Sequence, residues 1–445
     1  MREYPAAFMA LMLLAAPTQA ASQAPSPPTA APSVPTETSR ELLAAIISEL
    51  RKSYVFPEKT PAIVARLEAA QRAGRYDGAS PAALAKRLTD DLEAASGDGH
   101  LYVLHDPARY AALQREAAAP EARDRENADD YWRRQAVRNH HGLSEMKLLP
   151  GNIRYLRITG FEWARDETGL AYDDAMRFLR DGDAIIIDLR GNGGGSHAAV
   201  RYLVSHFMDE DRPLITFLKG SEPPEESRTL DHLPAGRIKG KPLYVLIDER
   251  VASAGEDFAY DVQAFKLGEL IGRVTAGAAN NNRFTPVAPD FVLSVSEGRP
   301  VHPVTRTNWE GVGVRPDVEV PGHEALEVAQ ARALERLAKT PGASPTALAE
   351  YEWARIAVEA RRHPVALPQQ RMKALAGRYG TVAVTWRDGA LWLQREGRSA
   401  RKLSPLTADG LFALEDSEML RARFKPGELQ LYWRGVPEPQ TFPRA

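Results

Sequence analysis

Apolar side chains recur at three- and four-residue spacing through RELLAAIISELRKSYVF, TPAIVARLEAAQRAG and SPAALAKRLTDDLEAAS, which predicts three amphipathic helices between Ser39 and about Ala95. Ser39, Thr60 and Ser80 stand where N-caps would be, and the latter two are followed by proline at the first helical position. The charged, Ala-rich stretch from about Ala108 to His141 reads as one or two exposed helices with no good strand.

At Asn152 the rhythm changes. NIRYLRIT, AIIIDL, PLITFL, PLYVLID and ELIGRV are short runs rich in β-branched residues, and helical stretches such as DETGLAYDDAMRFLRD, SHAAVRYLVSHFMDE and AGEDFAYDVQAFK lie between them. This alternation predicts an α/β fold with largely parallel strands, whose chemistry should collect at the loops leaving the strand C-termini. A helical run follows NWEGVGVRPDVEVP, and from about Val365 an Asp-Gly turn between alternating strands in RYGTVAVTWRDGALWLQREG predicts a small antiparallel β domain. The expected organisation is a helical module over residues 39–150, an α/β core over 151–325, a helical connector over 326–363 and the β domain over 364–445.

The 445 residues are 44% apolar, enough for more than one core, and carry 57 Lys+Arg against 59 Asp+Glu. A net charge of −2 gives no electrostatic case for nucleic acid or an anionic membrane surface. MREYPAAFMALMLLAAPTQA has an early Arg, an apolar stretch too short to span a bilayer and small residues before Ala20, the layout of a secretory signal over residues 1–20. A Pro/Ser/Ala/Thr-rich linker over 21–38 follows, so the expectation is an exported protein, periplasmic or extracellular, with no membrane span after signal removal. Cysteine is absent, which removes disulfides, a Cys nucleophile and Cys-ligated metal from consideration. No His spacing suits zinc, and neither a metal nor another cofactor is expected.

Two segments carry candidate chemistry. AIIIDLRGNGGGSHAAV places Gly191, Gly193, Gly194 and Gly195 between a strand and a helix, where exposed N–H groups suit a phosphate, an oxyanion or a crossing chain. There is no Gly-Lys-Ser/Thr ending for a P-loop, and Ser196 stands where a dinucleotide fingerprint wants Gly or Ala. In RVASAGEDFA, Ser253 sits at the next strand-to-helix junction, among small residues that let a substrate backbone approach. A serine there serves equally as helix cap or nucleophile, and Val251 excludes the Gly-x-Ser-x-Gly elbow. Glu256 and Asp257 fall in the first turn and favour the helix dipole; Asn280, Asn281, Asn282 and Arg283 read as an exposed loop.

DLRGNGGG, VASAGE, IGRVTAG and WEGVGVRPDVEV together resemble the C-terminal processing (tail-specific) serine peptidases, whose relatives include the tricorn protease core and the repeats of interphotoreceptor retinoid-binding protein. The resemblance covers about Asp98 to Pro321 and implies a ClpP/crotonase-like core. In the tail-specific branch the base is a lysine, but the matching turn VTAGAANNN has Ala278 at that position. The tricorn-like branch instead uses an upstream histidine and a glutamate near the end of the core, which SGDGHLYVLHD and TNWEGVGV supply as His100 and Glu310. Gly99 stands where the tricorn pattern has a polar residue, and no PDZ domain separates His100 from the core.

The resemblance thus implies a catalytic set of Ser253, His100 and Glu310; the oxyanion hole is expected from the N–H of Ala254 with an amide from Gly193 to Gly195, Gly194 being favoured, and substrate contact is expected near Gly195, Gly277 and Asn280. The expected activity is peptide-bond hydrolysis through a Ser253 acyl-enzyme, on peptide or protein substrates. Two alternatives stand beside it: a silent binder of peptides or apolar ligands on the same scaffold, and a serine esterase. Assembly into an oligomer is left open.

Overall fold

A computed structural model of the chain describes residues 33–118, 133–220 and 222–445. The expected signal peptide and most of the linker lie outside these residues, as does the middle of the charged Ala-rich segment.

The three predicted N-terminal helices form as Thr36–Ser53, Thr60–Arg72 and Pro81–Ser96. Two caps differ from expectation. The first helix starts ahead of Ser39, which bonds back to Pro35 O from inside the first turn, and Thr60 is itself helical behind Lys59. Ser80 does cap, accepting from Ala83 N. The third helix ends at Gly97 in the left-handed conformation (φ 66°), which turns the chain into Asp98, Gly99 and His100.

After this turn comes a strand that the sequence pattern did not reveal, Tyr102–His105. It pairs antiparallel with the long strand Phe291–Val301, which also pairs with Asn281–Ala288 and Pro213–Leu218. Leu42, Ile46, Ile63, Leu88 and Val103 pack with Phe291, Leu293 and Val295 into one core. The helical module is therefore bound to the second half of the chain, and His100 arrives at the core on that contact. The Asn281–Arg283 stretch expected as a loop begins a strand, and Pro213–Leu218 belongs to this second sheet rather than to the parallel one.

The main sheet has the spatial order 318–319, 269–272, 243–247, 184–188, 153–158, 143–149; neighbours are parallel except for the antiparallel edge Leu143–Leu149. That edge strand was expected in the helical module. Ala184–Asp188 and Leu243–Ile247 are buried throughout, as strands covered on both faces must be. Ile185 and Ile187 face helices Arg165–Arg180, His197–Ser205 and Ala254–Ala264, while Ile186 faces the opposite side. On that side lie Ala325–Ala338 and Pro345–Arg362, so the expected connector is instead the second helical layer of the core.

The C-terminal strands, from Gly377–Tyr379 to Gln440–Pro443, pair in sequential order as an eight-stranded antiparallel meander. Gly380 N donates to Pro443 O and Ala445 N to Arg378 O, closing it into a barrel filled by Tyr379, Leu391, Phe412, Phe424 and Leu431. The Asp388-Gly389 turn has positive φ at both residues, as its sequence requires. The barrel docks on the Pro345–Arg362 helix, where Arg421 stacks 3.9 Å from the Trp353 ring.

Candidate active site

Two adjacent parallel strands end in the same device. Asp188 accepts from the N–H of Arg190 and from its guanidinium, and Asp248 does the same for Arg250. Asp248 also accepts from Gly191 N at 2.9 Å, so the two loops leaving the sheet are tied to each other at their roots. Such loops at strand C-termini are where an α/β sheet presents its chemistry.

The glycine loop is built around Asn192. Its side chain donates to Ile158 O and accepts from Gly194 N at 2.8 Å, while its carbonyl accepts from Ala252 N. Gly194 has φ 107°, and a Cβ there would lie 2.7 Å from Ser253 Cβ and 3.1 Å from Ala254 N. A Cβ on Gly195 would strike Phe161 O at 2.2 Å. These glycines are close-approach residues that lay one loop against the other. Gly194 commits its N–H to Asn192, against the expectation that it lines the oxyanion hole, while the N–H groups of Gly193, Gly195 and Ala254 have no protein partner among the described residues.

Ser253 precedes helix Ala254–Ala264 with φ 51° and ψ −122°, a conformation a non-glycine residue adopts only when its surroundings force it. Glu256 supplies much of that force. Its fully buried carboxylate accepts from Ser253 N (3.0 Å), Thr275 Oγ1 (2.5 Å), Gly277 N (2.7 Å) and Ala278 N (2.8 Å). Burial pushes its pKa up while these four donors oppose the shift. The sequence reading assigned Glu256 only to the dipole; the S-x-x-E spacing of a capping box was the signal for more.

Glu310 performs the matching task on the next residues. Its carboxylate accepts from Ala279 N (2.6 Å), Asn280 N (2.9 Å) and Gly99 N (3.1 Å), which binds the turn carrying His100 to the loop that Glu256 holds. Ligand-type atoms of Asp98, His100 and Glu310 all lie within 4.8 Å of one another. Burial and the neighbouring Asp98 charge push the Glu310 pKa up to about 7. Burial lowers the pKa of His100 against the opposing pull of Asp98, so its imidazole favours the neutral form. Asp98 accepts from His100 N at 2.9 Å and was not singled out by the sequence reading.

Ser253 N and the Gly99 N of the His100 turn are therefore both tied, through Glu256 and Glu310, to one loop, residues 275–280. Among the described residues no hydrogen bond joins Ser253 Oγ to the His100 ring. Gly277 and Asn280 direct their N–H groups to the two carboxylates, and the Asn280 side-chain amide is buried without a partner. Ala278, at the position of the lysine in the tail-specific pattern, lies with its methyl 3.4 Å from where a Gly99 Cβ would sit. The His100 turn thus approaches the place a longer side chain would need.

Residues 152–320 match the model described as peptidase family S41, and residues 21–138 match the N-terminal domain of that family in eukaryotic IRBP. Residues 152–320 are a peptidase family S41 domain. The match agrees with the resemblance read from its motifs. The chain is 24% identical over 181 residues to the carboxy-terminal processing protease CtpB of Bacillus subtilis, covering 40% of this chain and 36% of that protein. The figures are the same for a CtpA-like serine protease of Staphylococcus aureus, so the chain spans about a third of the length of these relatives. Among solved structures, a lipoprotein from Streptococcus agalactiae aligns with TM-score 0.44 and 13% identity over 68% of this chain and 98% of its own. The photosystem II D1 C-terminal processing protease aligns with TM-score 0.40 and 16% identity over 68% and 98%. No helix of the S41 domain, or of the other described residues, is long and apolar enough to cross a membrane.

A different serine in the S41 domain does contact an imidazole. His197 Nε2 lies 2.7 Å from Ser227 Oγ and its Nδ1 lies 2.6 Å from Asp257, whose charge raises the histidine pKa against burial.

Proposed function

We propose that the chain is an exported serine peptidase that hydrolyses peptide bonds through an acyl-enzyme on Ser253. The observation that carries this reading is the shared loop: Glu256 fixes the Ser253 backbone to residues 277 and 278, and Glu310 fixes the Gly99-His100 turn to residues 279 and 280. A strained serine and a buried, neutral histidine are held to one short frame.

In this mechanism Ser253 Oγ attacks the substrate carbonyl carbon and the His100 imidazole takes its proton. Glu310 orients the ring and stabilises the imidazolium, as the acid does in other triads. The oxyanion lies between the N–H groups of Ala254 and Gly193, and one such donor contributes about 2.7–4 kcal/mol to the barrier in comparable sites. The imidazolium then protonates the leaving amine, and water, deprotonated by the same histidine, releases the acyl group. In the absence of a Ser–His hydrogen bond, substrate binding brings the imidazole onto Oγ, since catalytic hydrogen bonds often tighten only in the complex. An acyl-enzyme also accepts esters, so peptide and ester substrates are to be compared directly.

The second reading places the nucleophile at Ser227, favoured by its 2.7 Å contact with His197. A fluorophosphonate probe followed by peptide mapping separates the two. Label on the peptide containing Ser253, lost in Ser253→Ala and His100→Ala together with cleavage of a peptide library, supports the first. Label on Ser227 with hydrolysis intact in Ser253→Ala defeats it.

A further inference from the structure

Asp98, His100 and Glu310 form the one group among the described residues whose ligand-type atoms converge within 4.8 Å. The surroundings are unbalanced in two independent ways. Two carboxylates share this space with no Lys or Arg nitrogen within ion-pair reach among the described residues; backbone N–H groups, three on Glu310 and one on Asp98, meet them instead of a cation. Buried polar atoms here also have no partner: His100 Nδ1 and both atoms of the Asn280 amide. Asp98 is 1% exposed and His100 is 8% exposed, so bulk water does not screen them. An orphaned buried imidazole nitrogen beside two carboxylates that have no cationic partner is what a bound cation satisfies.

We propose that Asp98, His100 and Glu310 bind a divalent first-row transition cation of the zinc type, and that this ion reversibly silences the base. One imidazole nitrogen with two carboxylate oxygens suits zinc better than calcium or magnesium, which take oxygen ligands alone. Glu310 is only partly buried and gives the ion a way in. The consequence follows from imidazole chemistry. A neutral ring that gives one nitrogen lone pair to a metal carries its single proton on the other nitrogen. That nitrogen is then a donor and cannot accept the Ser253 proton, whereas the metal-free ring can hold its proton toward the carboxylates and keep the other nitrogen open.

The inhibitory half rests on the assignment of His100 as base; the binding half does not. Isothermal titration of the full mature chain with zinc chloride should show one tight site, retained in His140→Gln and weakened about tenfold or more in Asp98→Asn and in His100→Ala. Melting curves recorded alongside show whether each variant is folded and whether zinc raises its midpoint. Magnesium chloride should produce neither effect. In the wild type, zinc should suppress peptide hydrolysis and a chelator should restore it. Equal zinc affinity in wild type and a folded Asp98→Asn, or no binding by the wild type, overturns the site. Zinc bound there with hydrolysis unchanged overturns the switch while leaving the site in place. Hydrolysis without zinc binding removes this inference alone, and zinc binding without hydrolysis in any condition removes only the peptidase assignment.

Discussion

Glu256 and Glu310 divide four consecutive backbone N–H groups between them, Gly277 and Ala278 going to the first and Ala279 and Asn280 to the second. Each carboxylate also takes one amide from a segment of the proposed catalytic set, Ser253 N and Gly99 N respectively. The loop is therefore a ruler between two segments more than 150 residues apart in sequence, and its length is set by acceptors that must remain acceptors on every lone pair used. Glu256→Gln is a sharp test, because the new NH₂ would face an N–H or hydroxyl donor whichever way the amide is turned. We expect a loss of stability of about 1–3 kcal/mol, from leaving a buried donor unpaired, and a hydrolytic rate reduced at least 100-fold. Denaturant unfolding and kcat measured on the same preparation check this; a variant with wild-type kcat would remove the ruler from the argument.

Neighbouring glycines should respond in opposite ways to one added methyl group. At Gly194 the methyl meets Ser253 Cβ at 2.7 Å and Ala252 O at 2.9 Å, with φ at 107° besides. At Gly193 nothing lies within 4 Å of it. Gly193→Ala keeps its N–H and should retain probe labelling of Ser253 within a few fold. Gly194→Ala must push the serine loop away and should abolish labelling, at a cost of about 1–3 kcal/mol in overpacking. Equal labelling rates for the two variants would contradict the close approach of these loops.

Much of this frame was legible in the sequence, and the misses share a cause. AIIID and LYVLI announced buried parallel strands through unbroken apolar runs, and the glycines at 191–195 and the small residues around Ser253 announced close backbone approach. Tyr102–His105 and Asn281–Ala288 did not announce themselves, because each is stabilised by pairing with Phe291–Val301 rather than by its own pattern. Polar Asn282 and Arg283 fit a strand because Asn282 donates to Ser294 on the facing strand and Arg283 finds Glu297 there and Glu49 on the first helix. Glu256 was undervalued for the same reason: three of its four donors come from residues 275–278, and no local rule links position 256 to that loop. Trp353 with Arg421, which seats the barrel, is likewise invisible until the fold brings the two together.

The lysine of the tail-specific pattern should not be restorable by substitution. Ala278 is 8% exposed, and its methyl already abuts the Gly99 turn. A Lys here must bury an ammonium and displace the segment that brings His100. In a His100→Ala background, Ala278→Lys should recover no hydrolysis, and in the wild-type background it should lower stability by about 1–3 kcal/mol. Recovery of activity in the double variant, measured against His100→Ala alone, would show that the space is open and that the turn yields.

Acid stability should depend on His206, a histidine away from the proposed catalytic group. It is 0% exposed, its Nδ1–H donates to Tyr202 O at 2.9 Å, and burial lowers its pKa to about 4. In the unfolded chain the same ring titrates near 6.5. Between these values the unfolded state binds the proton and the folded state does not, so the stabilisation is full above pH 6.5. It is lost progressively as the pH falls toward 4, by up to about 1.4 kcal/mol per pH unit. His302, also 0% exposed and lowered to about 4 by burial, adds in the same direction. His206→Asn replaces the Nδ1 donor with an amide that does not titrate. It should be less stable than wild type at pH 7 yet lose stability more slowly than wild type between pH 6.5 and 4; the remaining slope combines the losses from His302, His100 and His141 with an opposing gain from Glu310, whose raised pKa makes the folded state the better proton binder in this range. Urea midpoints at pH 7, 5.5 and 4.5 measure both slopes. Parallel slopes would mean that the His206 ring is protonated inside the fold, and that Asp173, 3.8 Å from its Nε2, supplies a charge strong enough to outweigh its burial.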